Sequence, residues 1–280
     1  MSRFFPKADH WISGAAFSEP LASVSRIYGA PAGLDGMVAL FASDFHLRPF
    51  MDARKLAQCL IDQRADLVLL GGDLADTRRQ ALRLLHALRD LRAPMGVFAV
   101  PGNNDVEAFG SMDGLRAALR EINAQLLVNE SALCLRGGAR LAVGGADEPR
   151  YGRPSPEKIF HEDADYRILL SHYPLQAMLA AKPDLMLSGH THGGQFNLFG
   201  LTPYAVGFER FGARNFPPLL VSGEADFGPC RVMVSKGVGS SRIPLRSPAA
   251  RGVVEKKMAS KISPSQSTCI RVCRPPPTQE

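Results

Sequence analysis

Seven residues with metal-binding side chains, Asp44, His46, Asp73, Asn103, His172, His190 and His192, fall in five short polar segments of this 280-residue chain. The segments read Ser43-Asp44-Phe45-His46, Gly71-Gly72-Asp73-Leu74-Ala75-Asp76, Pro101-Gly102-Asn103-Asn104-Asp105, Ser171-His172-Tyr173-Pro174 and Ser188-Gly189-His190-Thr191-His192-Gly193-Gly194-Gln195. Mixed imidazole, carboxylate and amide donors suit Mn²⁺, Fe²⁺, Zn²⁺ or Co²⁺ better than the all-oxygen cages of Ca²⁺ and Mg²⁺. Residues at i and i+2 of an extended loop point the same way, so Asp44 and His46 can chelate one ion together. His190 and His192 can chelate one ion or straddle two, and a carboxylate such as Asp73 can bridge two cations. Two such ions ~3.5–4 Å apart acidify a shared water and clamp a phosphoryl oxygen. A lone Asp-x-His or Gly-Asp is commonly a turn, but four of the chain's seven histidines lie in these segments.

Each segment follows an apolar run. Runs at 38–42, 66–70 and 97–100 read as buried strands, separated by helices near 52–64 and 78–92, with a third helix at 113–123. Strands alternating with helices of this length make βαβ units and a mainly parallel sheet. In such sheets the loops at the carboxyl ends of strands converge on one crevice, which brings the five segments to one place. Shorter runs follow at 126–128, 133–136 and 141–145, with Gly137-Gly138 as a hairpin turn. Runs at 168–170 and 185–187 flank a helix at about 175–181 that Pro174 is placed to start, and 219–221 and 232–234 read as closing strands.

Composition narrows the classes. With 45% hydrophobic and 21% charged residues the chain can bury a core, and disorder throughout is excluded. The longest apolar runs are five or six residues, far below the ~20 of a spanning helix, so no transmembrane segment is expected. The N-terminus lacks a basic-then-apolar leader pattern, and five cysteines suggest no disulfide framework, so a cytoplasmic setting is expected. The net charge is +6, but residues 249–280 hold six basic and two acidic side chains and so supply +4 of it. The basic character therefore belongs to a Ser/Pro-rich tail read as disordered, and nucleic acid is disfavoured as a partner. Arg78, Arg79, Arg83, Arg89 and Arg92 read as a solvated helix face, with contact to anionic lipid or nucleotide as the functional alternative. Phe196, Phe199, Tyr204, Phe208 and Phe211 read as loop packing, or as an apolar lip for a base or an acyl chain.

Taken in order, Asp44-x-His46, Gly72-Asp73-x-x-Asp76, Gly102-Asn103-x-Asp105, His172-x-Pro174 and Gly189-His190-x-His192 resemble the calcineurin-like metallophosphoesterase family. The stretch 188–195 is similar to the YkuE/YaeI-like branch, some members of which act on the lipid-A precursor UDP-diacylglucosamine. The resemblance covers roughly 37–246 and implies a four-layer αββα sandwich with a dinuclear metal site at the strand C-terminal edge. It also implies that Asp44, His46 and His192 hold one ion and Asn103, His172 and His190 the other. Asp73 would bridge them, Asp76 would orient a ligand by hydrogen bonding, and a metal-bridging hydroxide would attack phosphorus in line. The domain expectation is an N-terminal extension at 1–36, the metallophosphoesterase domain at 37–248 and the tail at 249–280. The implied partner is a small phosphorylated substrate, lipid-linked or nucleotide, with peripheral membrane contact compatible. A non-catalytic interaction scaffold and a nuclease are the competing readings.

Two departures from the family pattern stand out. Asn104 occupies the place of a histidine that contacts phosphate and can protonate the leaving oxygen; an amide cannot act as a general acid at neutral pH. Either Asn104 only shapes its loop, or it shifts preference toward diesters and pyrophosphates. At the other end, relatives close with an apolar strand, for which Val253-Val254-Glu255-Lys256-Lys257 is a weak candidate. The polar end fits a degenerate strand or a natural end replaced through an altered reading frame, and truncation near residue 250 is then expected to leave folding intact.

Overall fold

Alternation along each apolar run decides the layers. In Val38–Ala42 (β2), Ala39 and Phe41 join one buried cluster while Leu40 and Ala42 join another on the opposite face. Leu67–Leu70 (β3) repeats this, with Leu67 and Leu69 on the first side and Val68 and Leu70 on the second. Ile168 and Leu170 of Tyr166–Ser171 (β8) and Leu185 and Leu187 of Leu185–Ser188 (β9) meet Phe41, Leu67 and Leu69 in the shared cluster. Strands buried on both faces must be sandwiched, and they are. The computed structural model describes residues 22–27, 30–47, 51–192, 220, 222–239 and 267–272, with the backbone alone for 22–27 and 267–272.

Two six-stranded sheets stack through that shared cluster. The first has the order Ala22–Ile27 (β1), Ser267–Val272 (β12), β2, β3, Val97–Ala99 (β4), Ala124–Leu126 (β5). The second runs Gly223–Phe227 (β10), Cys230–Val234 (β11), β9, β8, Ala139–Gly145 (β7), Glu130–Arg136 (β6). Helices Ala53–Ile61 (α1), Arg78–Ala87 (α2) and Met112–Arg120 (α4) cover the outer face of the first sheet through Leu56, Leu60, Leu84, Leu85, Leu115 and Leu119. Their starts are capped as the side chains dictate: Asp52 accepts from the Arg54 and Lys55 amides, and Ser111 from that of Gly114. The outer face of the second sheet is covered by Ile159, Tyr173 and Met178, packed on Leu169, Met186 and Val232. Among the described residues no helix is long and apolar enough to cross a membrane.

The expected stacked-sheet sandwich is present, with several corrections to its elements. The segment expected as a helix near 175–181 is a 3₁₀ turn, Gln176–Ala181. It is six residues long, and Lys182 (φ 54°) stands before Pro183, where steric crowding disfavours continued α-helix. Conversely, Asn103–Phe109 (α3) is a helix where a loop was expected. The Asp105 carboxylate starts it by accepting from the Gly102 amide at 3.0 Å, and Gly110 (φ 68°) ends it. The expected strand at 219–221 falls largely outside the described residues; the strand there is β10, a polar edge that pairs antiparallel with β11.

Two strands lie within the segments read from sequence as an N-terminal extension and a disordered tail. Backbone register places Ser267–Val272 inside the first sheet, parallel to β1 along Ala22↔Ser267 to Ile27↔Val272 and antiparallel to β2 along Thr268↔Phe41 to Arg271↔Val38. The closing strand lies there; the candidate at 253–257 lies outside the described residues.

Candidate metal centre

Strand ends deliver the seven side chains. Asp44 and His46 follow β2, Asp73 follows β3, Asn103 opens α3 after β4, His172 follows β8, and His190 and His192 follow β9. All seven are buried. Five adopt left-handed backbone: Asp44 (φ 53°), His46 (38°), Asp73 (56°), His190 (66°) and His192 (50°). Each such non-glycine turn costs about 1 kcal/mol or more and persists only where neighbours hold it. Here the Asp44 amide donates to Gly72 O (2.9 Å), the His46 amide to Asp73 O (3.1 Å), and the His190 amide to both Asp44 carboxylate oxygens (2.9 and 3.0 Å). Asp44 and His46 therefore converge through left-handed turns, not through the extended loop expected from their spacing.

The tautomers follow from the partners. His46 Nδ1 lies 2.6 Å from Asp76 Oδ1, and His172 Nδ1 lies 2.7 Å from Gly71 O. Carboxylate and carbonyl oxygens only accept, so each Nδ1 carries a proton and each Nε2 faces the site. His46 Nε2 is 3.1 Å from His192 Nε2 and 3.4 Å from Asp73 Oδ2. His172 Nε2 is 3.5 Å from that same Asp73 oxygen and, though buried, has no hydrogen-bond partner among the described residues. His192 Nε2 is 3.5 Å from Asp44 Oδ1. Donor atoms of Asp44, His46 and His192 lie within 4.8 Å of one another, as do those of Asp44, Asp73 and His172. Asn103 and His190 border the second group through Tyr173, whose hydroxyl donates to Asn103 Oδ1 (3.2 Å) and whose ring stacks 3.6 Å from that of His190. A buried imidazole nitrogen with no partner, aimed at a carboxylate oxygen that faces a second imidazole, fits divalent transition ions.

The electrostatics without metal agree. Burial alone would push the His172 imidazole down, but the Asp73 and Asp44 carboxylates outweigh it and hold it up at about 10. His46 is likewise raised: burial opposes, and the hydrogen bond to Asp76 and the charges of Asp73 and Asp44 prevail. For Asp73, burial pushes up, yet His172, His46 and Asn104 hold its carboxyl far below the usual range. A raised folded pKa stabilises the metal-free protein below the unfolded value of 6.5, and that contribution is lost as pH rises through about 10. Ligation needs the neutral imidazole, so metal binding strengthens over the same window. The melting-temperature difference between Mn²⁺-loaded and chelator-treated protein should therefore widen from pH 6 to pH 9. A constant or narrowing difference by differential scanning fluorimetry contradicts the assignment of His172 and His46.

Glycines make the close approaches. A Cβ on Gly189 would collide with the Asp44 carboxylate, and one on Gly102 with that of Asp73. Residues 37–194, more than half of the chain, match the family model described as calcineurin-like phosphoesterase. The chain belongs to this family. Metal-dependent hydrolysis of phosphoesters is accordingly its class of activity. YkuE of Bacillus subtilis (strain 168), named as an uncharacterised metallophosphoesterase, is 28% identical over 231 residues, 77% of each chain. An uncharacterised metallophosphoesterase of Aquifex aeolicus (strain VF5) is 31% identical over 223 residues, 73% of this chain and 78% of its own. A Bos taurus transmembrane protein with a metallophosphoesterase domain is 29% identical over 79% of this chain and 52% of its own. Among solved structures, Haemophilus influenzae NAD nucleotidase matches with a TM-score of 0.44 and 15% identity, over 72% of this chain and 45% of that one.

Two residues of this phosphoesterase site were not singled out from sequence as site residues. Tyr173 links Asn103 to His190; its signal was adjacency to His172. Asp105 accepts from the Asp73 amide (2.7 Å) and the Leu74 amide (2.8 Å), fixing the turn that aims Asp73. Burial and the Asp73 charge push its carboxyl up to about 7. Asn104, expected either to reach substrate or to shape its loop, donates from its side chain to Asp73 Oδ2 (2.6 Å) and from its backbone to Asp73 Oδ1 (2.9 Å). Gly193, Gly194, Gln195 and the aromatics from Phe196 to Phe211 lie outside the described residues.

Proposed function

We propose that this phosphoesterase hydrolyses phosphodiesters or nucleotide-sugar pyrophosphates, using two divalent transition ions drawn from Mn²⁺, Zn²⁺ or Fe²⁺. Asp44, His46 and His192 would hold one ion, Asn103, His172 and His190 the other, with Asp73 between them. Bound ions would supply an acidified water and charge neutralisation of the phosphoryl group. Asp76 keeps the His46 tautomer that presents Nε2, and Asp105 holds the Asp73 turn. The filled ligand set weighs against a non-catalytic scaffold.

Asn104 carries the preference for diesters. Its amide is engaged with Asp73 and is too weak an acid to protonate a leaving oxygen. Alkyl monoesters need that proton, whereas a phosphate or activated oxygen departs without it. The substrate then is a small phosphorylated molecule, nucleotide or lipid-linked, whose leaving group is itself a weak base. Asn104→His should raise the monoesterase-to-diesterase ratio about 100-fold, the scale of general acid catalysis. The comparison uses 4-nitrobenzyl phosphate and bis(4-nitrophenyl) phosphate with Mn²⁺. A wild-type chain that cleaves the monoester faster than the diester overturns this preference.

A further inference from the structure

The loop after β7 is held rigidly, yet what it holds projects into solvent. Asn129 Oδ1 accepts from the Asp147 (3.2 Å) and Ser155 (2.9 Å) amides, and Asn129 Nδ2 donates to Arg153 O (2.9 Å). The Asp147 carboxylate accepts from the Glu148 and Arg153 amides, both at 2.8 Å. Glu148, fully buried, accepts from the Arg150 amide through both oxygens (3.0 Å each) and from the Tyr151 amide (2.8 Å). Asn129 and Asp147 thus hold the loop, and within it Glu148 fixes the backbone of Arg150 and Tyr151. Their own side chains are 52% and 48% exposed.

These two side chains meet the helix that carries Asn103 and Asn104. The Tyr151 hydroxyl donates to Glu107 of α3, and Arg150 Nη1 stands 3.7 Å from the same carboxylate. Glu107 follows Asn104 by three residues and Asn103 by four, the spacing of one helix face, so it lies about 5 Å along the axis from both. The Arg150 guanidinium sits 5.4 Å from the Tyr151 ring centre and makes no hydrogen bond among the described residues. Exposed ion pairs at such distances stabilise a fold by only ~0–1 kcal/mol, so the pair gives little reason for so firmly held a loop. What the loop presents is an aromatic face beside a five-donor cation, both held at a carboxylate that lies about one helical turn from Asn103 and Asn104. A planar base and a second phosphate match that combination.

We propose that Arg150 and Tyr151 form a recognition wall that stacks the base and pairs with the second phosphate of a nucleoside diphosphate ester. The proposal rests on the diesterase reading and names the substrate class of that site. Arg150→Ala and Tyr151→Ala should each raise KM for a uridine diphosphate sugar about tenfold (~1.4 kcal/mol). Both should change kcat/KM for methyl 4-nitrophenyl phosphate, which has neither base nor second phosphate, less than about twofold. Tyr151→Phe keeps the ring but loses the bond to Glu107, so it should retain the wild-type KM. Arg120→Ala, on the last turn of α4, serves as the charge-matched control and should match wild type. Equal losses on both substrates would mean that the loop acts only through folding, and an unchanged KM would mean that the wall touches no substrate; either overturns the proposal. If wild type cleaves the simple diester but not the sugar nucleotide, the wall fails while the diesterase reading stands. If it cleaves neither, that reading fails, and calorimetric binding of the sugar nucleotide to Mn²⁺-loaded wild type and Arg150→Ala decides the wall by itself. Tighter binding to wild type supports it; equal or absent binding overturns it.

Discussion

Replacing Asp73 by Asn is expected to abolish diester hydrolysis, by about a thousandfold or more, and to lower metal content by at least one ion per chain. The substitution keeps the shape of the side chain and removes its charge. In the native site one Asp73 oxygen faces both His46 (3.4 Å) and His172 (3.5 Å) and accepts from the Asn104 amide (2.6 Å). A carboxamide supplies no anion there, and its NH₂ group would confront either the Asn104 donors or the imidazoles. The loss should be specific to the site. The Asp73 turn is held by backbone bonds to Asp105 and by the His46 amide on Asp73 O, neither of which involves the substituted atoms. Circular dichroism should therefore be native while activity is lost. Activity within tenfold of wild type would remove Asp73 from its central place.

The second large effect concerns the far end of the chain. Ending the protein at residue 250 should eliminate soluble, metal-loaded enzyme. It removes β12, which lies between β1 and β2 and is the element that pairs with β1. β2 would then present its outer backbone groups unpaired, and β2 leads directly into Asp44 and His46. The brace on that turn from after β11, where the Val238 amide donates to Ser43 O (2.9 Å) and the Gly239 amide to Asp44 O (2.7 Å), stays in the shortened chain, so the loss reports on β12 itself. Ile270→Pro in the full-length chain tests the strand without truncation. A proline inside a strand paired on both sides deletes a ladder bond and clashes, at a cost of ~3 kcal/mol or more. Both variants should lose soluble yield. A chain ending at residue 250 that is soluble and active at the wild-type level would show that β12 is dispensable, as first expected from the tail's composition.

The ligand set was legible because each member is a chemically distinctive side chain placed where an apolar run ends, and strand ends in a parallel sheet share one edge. The layers were legible from period-two burial, as in Ala39 and Phe41 against Leu40 and Ala42. What stayed hidden depended on backbone geometry or on distant partners. Nothing in Ser-Asp-Phe-His announces two left-handed residues, because the bonds that hold them come from Gly72 and Asp73. Asn103–Phe109 was obscured because its start is set by Asp105, a residue that also reaches across to the Asp73 turn. The run Ser-Thr-Cys-Ile-Arg-Val at 267–272 has strand-like alternation, but its flanks of Ser, Pro and Lys read as tail, and its register comes from β1 and β2. Arg150 and Tyr151 carry no sequence signal, since their placement depends on three carboxylate and amide side chains that wind the loop from beneath.

Elemental analysis of Mn²⁺-reconstituted protein, with bis(4-nitrophenyl) phosphate turnover measured on the same samples, tests the central assignment most directly. Wild-type protein should hold about two ions per chain and hydrolyse the diester, and Asp73→Asn should hold no more than one ion with almost no hydrolysis. Wild-type protein that hydrolyses the diester after complete metal removal, or that holds no transition metal and is inert, would contradict it.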